Sequence, residues 1–588
     1  MMRGELLTQW VEQPPATPIV QYLRDAERDA AVEQLQSAGR TLDVASESSV
    51  TTALSAERIT RLDFSPRASE RAREILGDTV DQFAVTEPQN PTLDFDKNAF
   101  DTAISIGPYD WKFLDVAVLT DELHRVVDSG PVVLSVPTVR SPYASMDANR
   151  DRYYTLDEIS ALIYPEWRLL DADLVFQYPH SIHSKINRLP PRLQSPFVDL
   201  SEQLTSLLTE RDWCKRAAYI VLSIAPIPYE AHLESAIECL LRPVESNGFW
   251  DTDEEKILRA LDYQLAGAEI TWTPDDDIQW RYAPFALMGL THWRDSSLGH
   301  DAHDQKIRRE LEYFAERVTD PETRAEMPSY GLGPLIASFA RAGDRFDDEY
   351  TSIARDLFEY TSERFNFDHA EDSLLAFGWA HLYERAPDDD LRSALEEALW
   401  QMNERLTPDG VFEFENHTTR RHQNQMYTLW GLCRAIDATG LDGYLDSAER
   451  VLDYAIDVRM RDDGAFIWED VPYWRRAWRE AQKYGGRRPP HWDFLYECHQ
   501  TFFVNAVAEY YRAGGEREYT DTVGTAMNWI YGDNSLGRDL VEMSGLGVPM
   551  RQMTVDGRMD VPDQMYKGAY EIGSYIMAVT NILDGPIR

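Results

Sequence analysis

Residues 350–384 read YTSIARDLFEYTSERFNFDHAEDSLLAFGWAHLYE and contain two helical patterns in succession. The first pattern, at 350–365, has an apolar face and a charged face, as expected for a helix on the outside of a bundle. The second pattern, at 370–384, is richer in small and aromatic residues, which predicts a helix that packs inside the protein. Together they predict a helical hairpin with one outer and one inner helix.

The same pair of patterns recurs through the last two thirds of the chain. Outer helices are predicted at 253–267, 304–318, 350–365, 391–406, 445–460 and 518–532, and inner helices at 281–293, 330–343, 370–384, 421–437, 496–511 and 568–583. A helical hairpin that recurs at intervals of a few tens of residues is typical of a repeat array. Closing six hairpins into a ring would bury both apolar sets and leave no unprotected end. We therefore predict an all-α (α/α)6 toroid over residues 227–588.

This repeat resembles the six-hairpin glycosidase architecture, which glycoside hydrolases, polysaccharide lyases and the catalytic part of uronyl epimerases share. The resemblance lies in the repeated hairpins over residues 227–588 and in no single motif. It implies a protein that acts on carbohydrate, and it leaves the reaction open.

The first third of the chain has a different period. Short β-rich runs alternate with helical stretches, and the runs lie at 40–47, 58–65, 81–88, 100–107, 131–138, 168–177 and 217–226. Such alternation predicts a doubly wound, mainly parallel sheet whose ligands bind beyond the carboxyl ends of the strands. We predict an α/β domain over residues 1–226.

Four segments of this domain carry a second resemblance. They are LDVASESSV (42–50), RITRLDFSPRASERAR (58–73), FDTAISIGPYDW (100–111) and LTDELHRVVDSGPVVLSVP (119–137). In order and local sequence they resemble class I S-adenosylmethionine-dependent methyltransferases over about residues 21–226. The resemblance implies S-adenosylmethionine as a possible cofactor, with Asp43 and Asp63 as cofactor-binding residues and Asp63 matching the residue that holds the ribose hydroxyls in that family.

The first turn of this domain departs from the family. Ala45, Glu47 and Ser49 stand where the family has glycines. Glycine is needed there because the backbone curls tightly and approaches the cofactor. Two interpretations remain open: a methyltransferase with an unusual first loop, or a scaffold that has lost cofactor binding.

Composition limits the classes of partner. The 588 residues include 101 Asp and Glu against 58 Lys and Arg, which gives a formal charge of -43. Nucleic-acid backbones are bound by basic faces, so a general nucleic-acid binder is excluded. Only eight of the basic residues are lysine. We interpret the acidity as adaptation to high salt, as in halophilic proteins, because salt screens the self-repulsion of such a surface.

No targeting or metal-binding pattern is evident. The sequence has no apolar run of the roughly 18 residues that a membrane span needs, and its first residues contain no signal-peptide pattern, so we expect a cytoplasmic protein. Four cysteines lie far apart without CxxC spacing, which indicates neither a zinc site nor a disulfide framework. We predict no metal site.

Loop lengths indicate the working side of the toroid. The connections at about 461–494 and 532–567 are much longer than the ~2–8 residues usual between paired helices, and such loops are often functional. The first of these loops carries an arginine-rich and aromatic stretch. Arginine forks bind carboxylate, sulfate or phosphate and aromatic rings stack on sugars, so an acidic oligosaccharide or sugar-lipid is the expected partner. The predicted substrate-binding residues are Trp280, Arg281, Asp372, Gln423, Arg475, Arg476 and Trp492. Alternatively, the arginines pair with local acids and pin the loop.

Titratable residues at the starts of inner helices form the predicted catalytic set: His422, Glu497, His499, Tyr570 and Glu571. Glycoside hydrolysis needs carboxyl groups across the scissile bond, while proton abstraction beside a uronate needs a base and a neutralising cation. Hydrolysis, elimination and epimerisation therefore remain candidates. Such residues could instead be hydrogen-bonding plugs of the ring.

Three functions are compatible with these patterns. In the first, the toroid modifies an acidic glycan by acid–base chemistry. In the second, the α/β domain methylates a glycan that the toroid presents. In the third, both domains are non-catalytic scaffolds in glycan assembly.

Overall fold

The computed structural model divides the chain into two compact units, Met1–Pro228 and Tyr229–Arg588. The residues that it describes are 8, 11–12, 15–35, 38–87, 91–107, 116–128, 130–139, 153–155, 158–159, 166–207, 217–266, 269–275, 282–364, 366–415, 420–469, 477–478, 481, 494–555, 557, 559, 561 and 564–587. In this described part, no helix is both long and apolar enough to cross a membrane.

The described residues of the first unit form one seven-stranded sheet. Its strands are β1 (Ala38–Val44), β2 (Ala56–Asp63), β3 (Gln82–Val85), β4 (Thr102–Ser105), β5 (Val132–Pro137), β6 (Trp167–Val175) and β7 (Tyr219–Pro226). The order is β3-β2-β1-β4-β5-β7-β6. Strands β1 to β5 pair in parallel, and β7 is antiparallel to both β5 and β6. The predicted mainly parallel sheet is confirmed.

Helices flank this sheet: α1 (Pro18–Gln34), α2 (Ser48–Ala53), α3 (Pro66–Leu76), α4 (Val116–Val126), α5 (His180–Ile186) and α6 (Pro191–Ser206). The sheet is covered on both faces. Leu134 and Leu222 belong to one core, while Val133 and Val221 pack in another with Ala31 of α1. Because successive side chains point to opposite faces, strands buried on both sides have continuous apolar runs.

Six inner helices form a closed ring within the described residues of the second unit. They are α8 (Ala283–Asp295), α11 (Ser329–Arg345), α13 (Ser373–Arg385), α15 (His422–Thr439), α17 (Glu497–Arg512) and α20 (Ala569–Leu583). Each inner helix packs against the next along the chain, and α20 packs against α8. The second unit is therefore an (α/α)6 toroid.

An outer helix contacts each inner helix of the ring. The outer helices are α7 (Tyr229–Leu241), α9 (Asp304–Thr319), α12 (Glu349–Ser362), α14 (Asp389–Glu404), α16 (Leu445–Tyr454) and α18 (Thr520–Ile530). Two short helices, α10 (Pro321–Glu326) and α19 (Leu540–Ser544), lie in connections, and a π-helical turn, Ala455–Arg459, follows α16.

The first predicted outer helix, at 253–267, is wrong. These residues contain β9 (Lys256–Ile257), which pairs with β8 (Trp250–Asp251), and β10 (Ala260–Ala266), which pairs with β11 (Glu269–Asp275). The reason is a local period of two: Leu261 and Tyr263 are buried while Asp262 and Gln264 are exposed. Helix α7 takes the outer position instead.

Glycines allow the ring to close. A Cβ atom on Gly573 of α20 would lie 2.1 Å from the Phe285 carbonyl oxygen of α8, and a Cβ on Gly289 would lie 2.5 Å from the Gly573 oxygen. The backbones of the first and last inner helices thus approach too closely for any side chain at these positions.

Candidate functional site

Two short sheets fix the start of the last two inner helices. Strand β12 (Phe494–Tyr496) runs directly into α17 and pairs with β13 (Gln552–Thr554). Strand β14 (Tyr566–Gly568) runs directly into α20 and pairs with β10. As a result, Glu497 and Glu571 lie in the first turns of neighbouring helices. Carboxylates are favoured there by the positive end of the helix dipole.

A buried lysine joins the two carboxylates. The Lys567 ammonium donates a hydrogen bond to Glu497 Oε1 and lies 3.7 Å from Glu571 Oε2. All three residues are about 1% exposed. The Gly568 N–H also donates to Glu571 Oε2, at 3.0 Å, which fixes this carboxylate at the helix start.

Arg551 completes what we call the carboxylate cluster, which consists of Glu497, Lys567, Glu571 and Arg551. Its Nε donates to Glu571 Oε1 at 2.7 Å, and its Nη2 donates to the Tyr566 hydroxyl at 2.7 Å. The guanidinium also lies 3.7 Å from the centre of the Tyr566 ring. Every charge of the cluster is therefore paired, as buried charges require.

One carboxylate oxygen of the cluster has no hydrogen bond within the described chain. Glu497 Oε2 is buried and has no hydrogen-bond partner among the described residues. Burial raises the pKa of Glu497 well above its ordinary value; Lys567 opposes this shift and Glu571 adds to it. A carboxyl group with a raised pKa can hold a proton near neutral pH and donate it to a substrate.

Aromatic rings lie beside the cluster. Tyr570 stacks on Tyr282 with ring centres 4.7 Å apart. The Arg259 guanidinium lies 5.1 Å from the Tyr282 ring and forms an ion pair with Asp275. Burial and the nearby Glu571 raise the pKa of Tyr570, so its hydroxyl stays protonated.

His422 and His499 lie deeper between α15 and α17. His422 Nε2 donates to the His499 carbonyl oxygen at 3.1 Å, and its ring stacks on Phe466. His499 Nδ1 donates to the Phe466 carbonyl oxygen at 3.3 Å. Burial lowers the pKa of His499 to about 3 and that of His422 well below its usual value. Both histidines are therefore neutral and hold backbone groups.

The other predicted residues of the toroid are spread around the ring. Asp372 accepts a hydrogen bond from the Ser329 hydroxyl at 2.6 Å and lines a small cavity with His369. Gln423 is half-buried in the first turn of α15. Five predicted substrate-binding residues lie outside the described residues: Trp280, Arg281, Arg475, Arg476 and Trp492.

In the first unit, the two predicted cofactor-binding residues, Asp43 and Asp63, both form ion pairs with one buried arginine. Arg61 is fully buried and donates to Asp43 Oδ2 at 2.8 Å and to Asp63 Oδ1 at 3.1 Å. Asp43 also accepts from the Ser46 N–H and the Thr51 hydroxyl, at 3.1 and 2.6 Å. Both carboxylates thus hold the protein's own groups, and this arrangement does not fit a cofactor whose ribose needs Asp63.

The first turn of this unit is built without glycine. Ala45 has a φ of 52°, in the left-handed region that favours glycine. Glu47 lies 3.7 Å from the Arg24 guanidinium. The turn therefore has a left-handed residue at Ala45 and places the Glu47 carboxylate where the resemblance implies glycine.

A metal centre has no support from the described ranges, in which no three His, Cys, Asp or Glu side chains converge to hold an ion. In the carboxylate cluster, Lys567 pairs with Glu497 and Arg551 pairs with Glu571. These two cations neutralise the acids that a metal would otherwise use.

The sequence matches no known family model and no curated protein. Among solved structures it is similar to cellobiose 2-epimerase from Bacillus thermoamylovorans B4167, with 11% identity, 60% of this chain and 99% of that chain covered, and a TM-score of 0.43. It is also similar to unsaturated glucuronyl hydrolase from Bacillus sp. GL1, with 14% identity, coverage of 61% and 98%, and a TM-score of 0.43. A third similarity is to geranyl diphosphate C-methyltransferase from Streptomyces coelicolor A3(2), with 12% identity, coverage of 35% and 77%, and a TM-score of 0.26.

The sequence reasoning missed both cations of the cluster. Lys567 and Arg551 lie in the long connection at 532–567, where the sequence pattern indicates a functional loop by its length alone. Lysine is scarce in this chain, and Lys567 stands four residues before Glu571. That scarcity was the available signal.

Proposed function

We propose that the toroid is a glycan-acting enzyme whose acid–base chemistry takes place at the carboxylate cluster. The observation that carries this proposal is Glu497: a buried carboxyl with one free oxygen and a raised pKa, next to a second carboxylate, Glu571, on the neighbouring helix. Paired carboxyl groups in different environments are what glycosidic acid–base chemistry requires.

We assign the roles by the contacts of each group. Glu497 transfers the proton through its free Oε2. Glu571 is held by Arg551 and by the backbone, so it acts as the fixed carboxylate of the pair. Lys567 and Arg551 hold the two carboxylates of the pair. Arg475 and Arg476 are the cations proposed to neutralise an acidic sugar. Tyr570 borders the site through its stack with Tyr282.

The remaining predicted residues have supporting roles in this proposal. His422 and His499 are positioning residues, because their hydrogen bonds hold the backbone between α15 and α17. The residues proposed to bind the acidic oligosaccharide or sugar-lipid are Trp280, Arg281, Asp372, Gln423, Arg475, Arg476 and Trp492. Hydrolysis, elimination and epimerisation are all compatible with this set.

The burial of the cluster favours one competing function. Each member is at most 4% exposed, so a substrate reaches Glu497 only if neighbouring side chains move. If these side chains do not move, the ion pairs only hold the starts of α17 and α20 together. The protein is then a non-catalytic scaffold in glycan assembly. A methyl-transfer function has no such support, because Arg61 occupies both Asp43 and Asp63.

The test is glycan profiling in the host. The gene is deleted, and the strain is complemented with the wild type, Glu497→Gln or Glu310→Gln. Glu310 is the matched control, because it is also a fully buried carboxyl of the second unit but lies on the outer helix α9. Glycans and sugar-lipids are then compared by mass spectrometry, with linkage and configuration analysis.

We expect the deletion and Glu497→Gln to give the same altered glycan, and Glu310→Gln to match the wild type. Relative to the wild type, one extra sugar in the altered glycan indicates hydrolysis, the absence of an unsaturated product indicates elimination, and a changed configuration at constant mass indicates epimerisation. A wild-type profile with stably folded Glu497→Gln protein, but an altered profile without the toroid, would establish the scaffold function instead.

A further inference from the structure

The opposite end of the toroid contains a second polar centre. Near their C-terminal ends, all six inner helices contribute polar residues to a cavity of about 200 Å³. They include His292, Arg341, His381, Arg434, Arg512 and Asn581, together with Asp295, Arg385 and Thr580. We call this cavity the arginine pocket.

Arg341 is the central cation of the pocket. It is only 3% exposed, and its Nη2 donates to His381 Nε2 at 2.9 Å and approaches His292 Nδ1 at 3.3 Å. Among the described residues it forms no ion pair, and its Nη1 has no hydrogen-bond partner. Burial, with the nearby Arg434, lowers the pKa of Arg341 to about 9, so it still carries its charge at neutral pH.

The two histidines do not compensate this charge. Burial and the surrounding arginines hold the pKa of both His292 and His381 well below the usual value, so both rings are neutral. His292 Nε2 donates to Asn581 Oδ1 at 3.1 Å, which leaves its Nδ1 as the acceptor that faces Arg341. The rings thus accept hydrogen bonds from Arg341 but supply no negative charge.

Two carboxylates, Asp295 and Asp584, also line the pocket, but neither forms an ion pair with Arg341 among the described residues. Asp584 accepts hydrogen bonds from the Ser297 N–H and hydroxyl, and the other carboxylates nearby pair with other arginines. Glu384 pairs with Arg434 at 3.0 Å, and Glu509 pairs with Arg512 at 2.5 Å. Asp295 pairs with Arg385, also at 2.5 Å, and Asp437 lies 3.3 Å from Arg434. These acids act on Arg341 only from beyond contact distance.

Unpartnered polar atoms gather at the same cavity. Besides Arg341 Nη1, the buried atoms without a hydrogen-bond partner in the described chain include Arg385 Nε, Arg434 Nε and Thr580 Oγ1, and all four residues line the pocket. Buried donors are nearly always satisfied in folded proteins. Three nitrogen donors and a hydroxyl around one small space therefore indicate a ligand that supplies several acceptors.

The gathering of arginines here has a competing explanation, because cations are favoured near the carbonyl groups at helix C-termini. That explanation requires the arginine donors to reach the carbonyl groups. The hydrogen bonds of Arg341 go to two imidazoles instead, and its second terminal nitrogen is unused. Attraction to the helix ends accounts for the position of the arginines but leaves this donor unsatisfied.

We propose that the arginine pocket binds a small inorganic anion, either a halide or a tetrahedral oxyanion such as phosphate. A cavity of about 200 Å³ is of a size that suits a small ion, and Arg341 with its donor neighbours provides the charge-assisted hydrogen bonds that such an anion needs. This site is independent of the carboxylate cluster and of the function proposed for it.

The test is isothermal titration calorimetry with the full chain. Sodium phosphate and, separately, sodium bromide are titrated at constant ionic strength maintained with sodium gluconate. The variants are Arg341→Gln, Thr580→Val and the control Arg392→Gln, which removes an exposed arginine that pairs with Glu396 on an outer helix. The control has the same charge change but lies outside the pocket.

We expect one saturable site per chain for at least one of the two anions, with binding weakened at least tenfold in Arg341→Gln, weakened less in Thr580→Val and unchanged in Arg392→Gln. The anion that binds identifies the class, halide or oxyanion. If Arg341→Gln does not fold, Thr580→Val and Arg385→Gln give the same comparison. No saturable binding of either anion, or binding that survives all three pocket substitutions, would overturn the proposal.

Discussion

The two ends of the same helical ring carry opposite chemistry. At the N-terminal ends of α17 and α20, Glu497 and Glu571 share Lys567, and both carboxylates are paired with cations. At the C-terminal ends of the inner helices, Arg341 has only neutral imidazoles as partners. One end is a closed set of ion pairs, and the other has a cation without a counter-charge in contact.

Helix polarity explains this division. Negative side chains are stabilised near helix N-termini and positive ones near C-termini, and a ring of parallel inner helices adds these preferences at each end. What the dipoles do not explain is the unequal pairing. That inequality leads us to assign proton transfer to the free oxygen of Glu497 and anion binding to Arg341.

The largest expected loss of stability comes from removing the lysine of the carboxylate cluster. Lys567→Met leaves two buried carboxylates without their shared cation, which should destabilise the protein by about 3–5 kcal/mol. Urea denaturation measures the change. Lys306→Met is the control, because Lys306 donates only to the Leu241 carbonyl oxygen and is part-buried. Adding Glu497→Leu to Lys567→Met should restore much of the loss; no recovery would mean that Lys567 does not act through Glu497.

A pH series compares the paired carboxylates with an unpaired one. Glu310 is buried and accepts from the Ile257 N–H at 2.8 Å, and burial raises its pKa from 4.5 to about 8. The folded state then binds more protons than the unfolded state between these values, so stability falls as pH rises, by up to about 1.4 kcal/mol per pH unit. Glu310→Gln should make this slope shallower by the contribution of Glu310, while Glu497 and Glu27, whose pKa values burial also raises, keep theirs. An unchanged slope in the variant would assign it to other groups.

Closure of the ring is tested by a smaller change. Gly573→Ala places a methyl group against the Phe285 carbonyl oxygen and should cost about 1–3 kcal/mol. The control Gly443→Ala places a methyl group in open space, so it should be nearly neutral. Equal stability of the two variants would show that α8 and α20 do not pack as closely as described.

For the first unit, we expect no binding of S-adenosylmethionine. Arg61 forms ion pairs with both Asp43 and Asp63. The charges of this buried group are therefore paired within the protein, as they are in the carboxylate cluster. Calorimetric titration with S-adenosylmethionine should give no saturable heat in the wild type. Binding that disappears in Asp63→Ala would instead establish the methyltransferase interpretation.

Local patterns predicted the helices well and the sites only in part. The inner helix predicted at 496–511 forms at Glu497–Arg512, because its apolar and small residues are buried on all sides. The helix predicted at 253–267 is wrong because Leu261 and Tyr263 alternate with polar residues in a strand, β10, that pairs with the adjacent β11 and the distant β14.

The partners of the carboxylates depend on contacts far apart in sequence. Lys567 and Arg551 reach Glu497 and Glu571 only after β14 pairs with β10 and β13 pairs with β12. Likewise, a single arginine such as Arg341 at the end of one helix carries no signal until ring closure brings its neighbours together.

Hydrogen–deuterium exchange of the full chain tests the assignment of the two ends most directly. The oligosaccharide identified by profiling is added in one experiment and phosphate or bromide in another. We predict that the sugar slows exchange in peptides covering 494–499 and 564–571, while the inorganic anion slows exchange in peptides covering 338–345 and 378–385. Protection of the second pair of peptides by the sugar, with no change at 494–499, would contradict the placement of glycan chemistry at the carboxylate cluster.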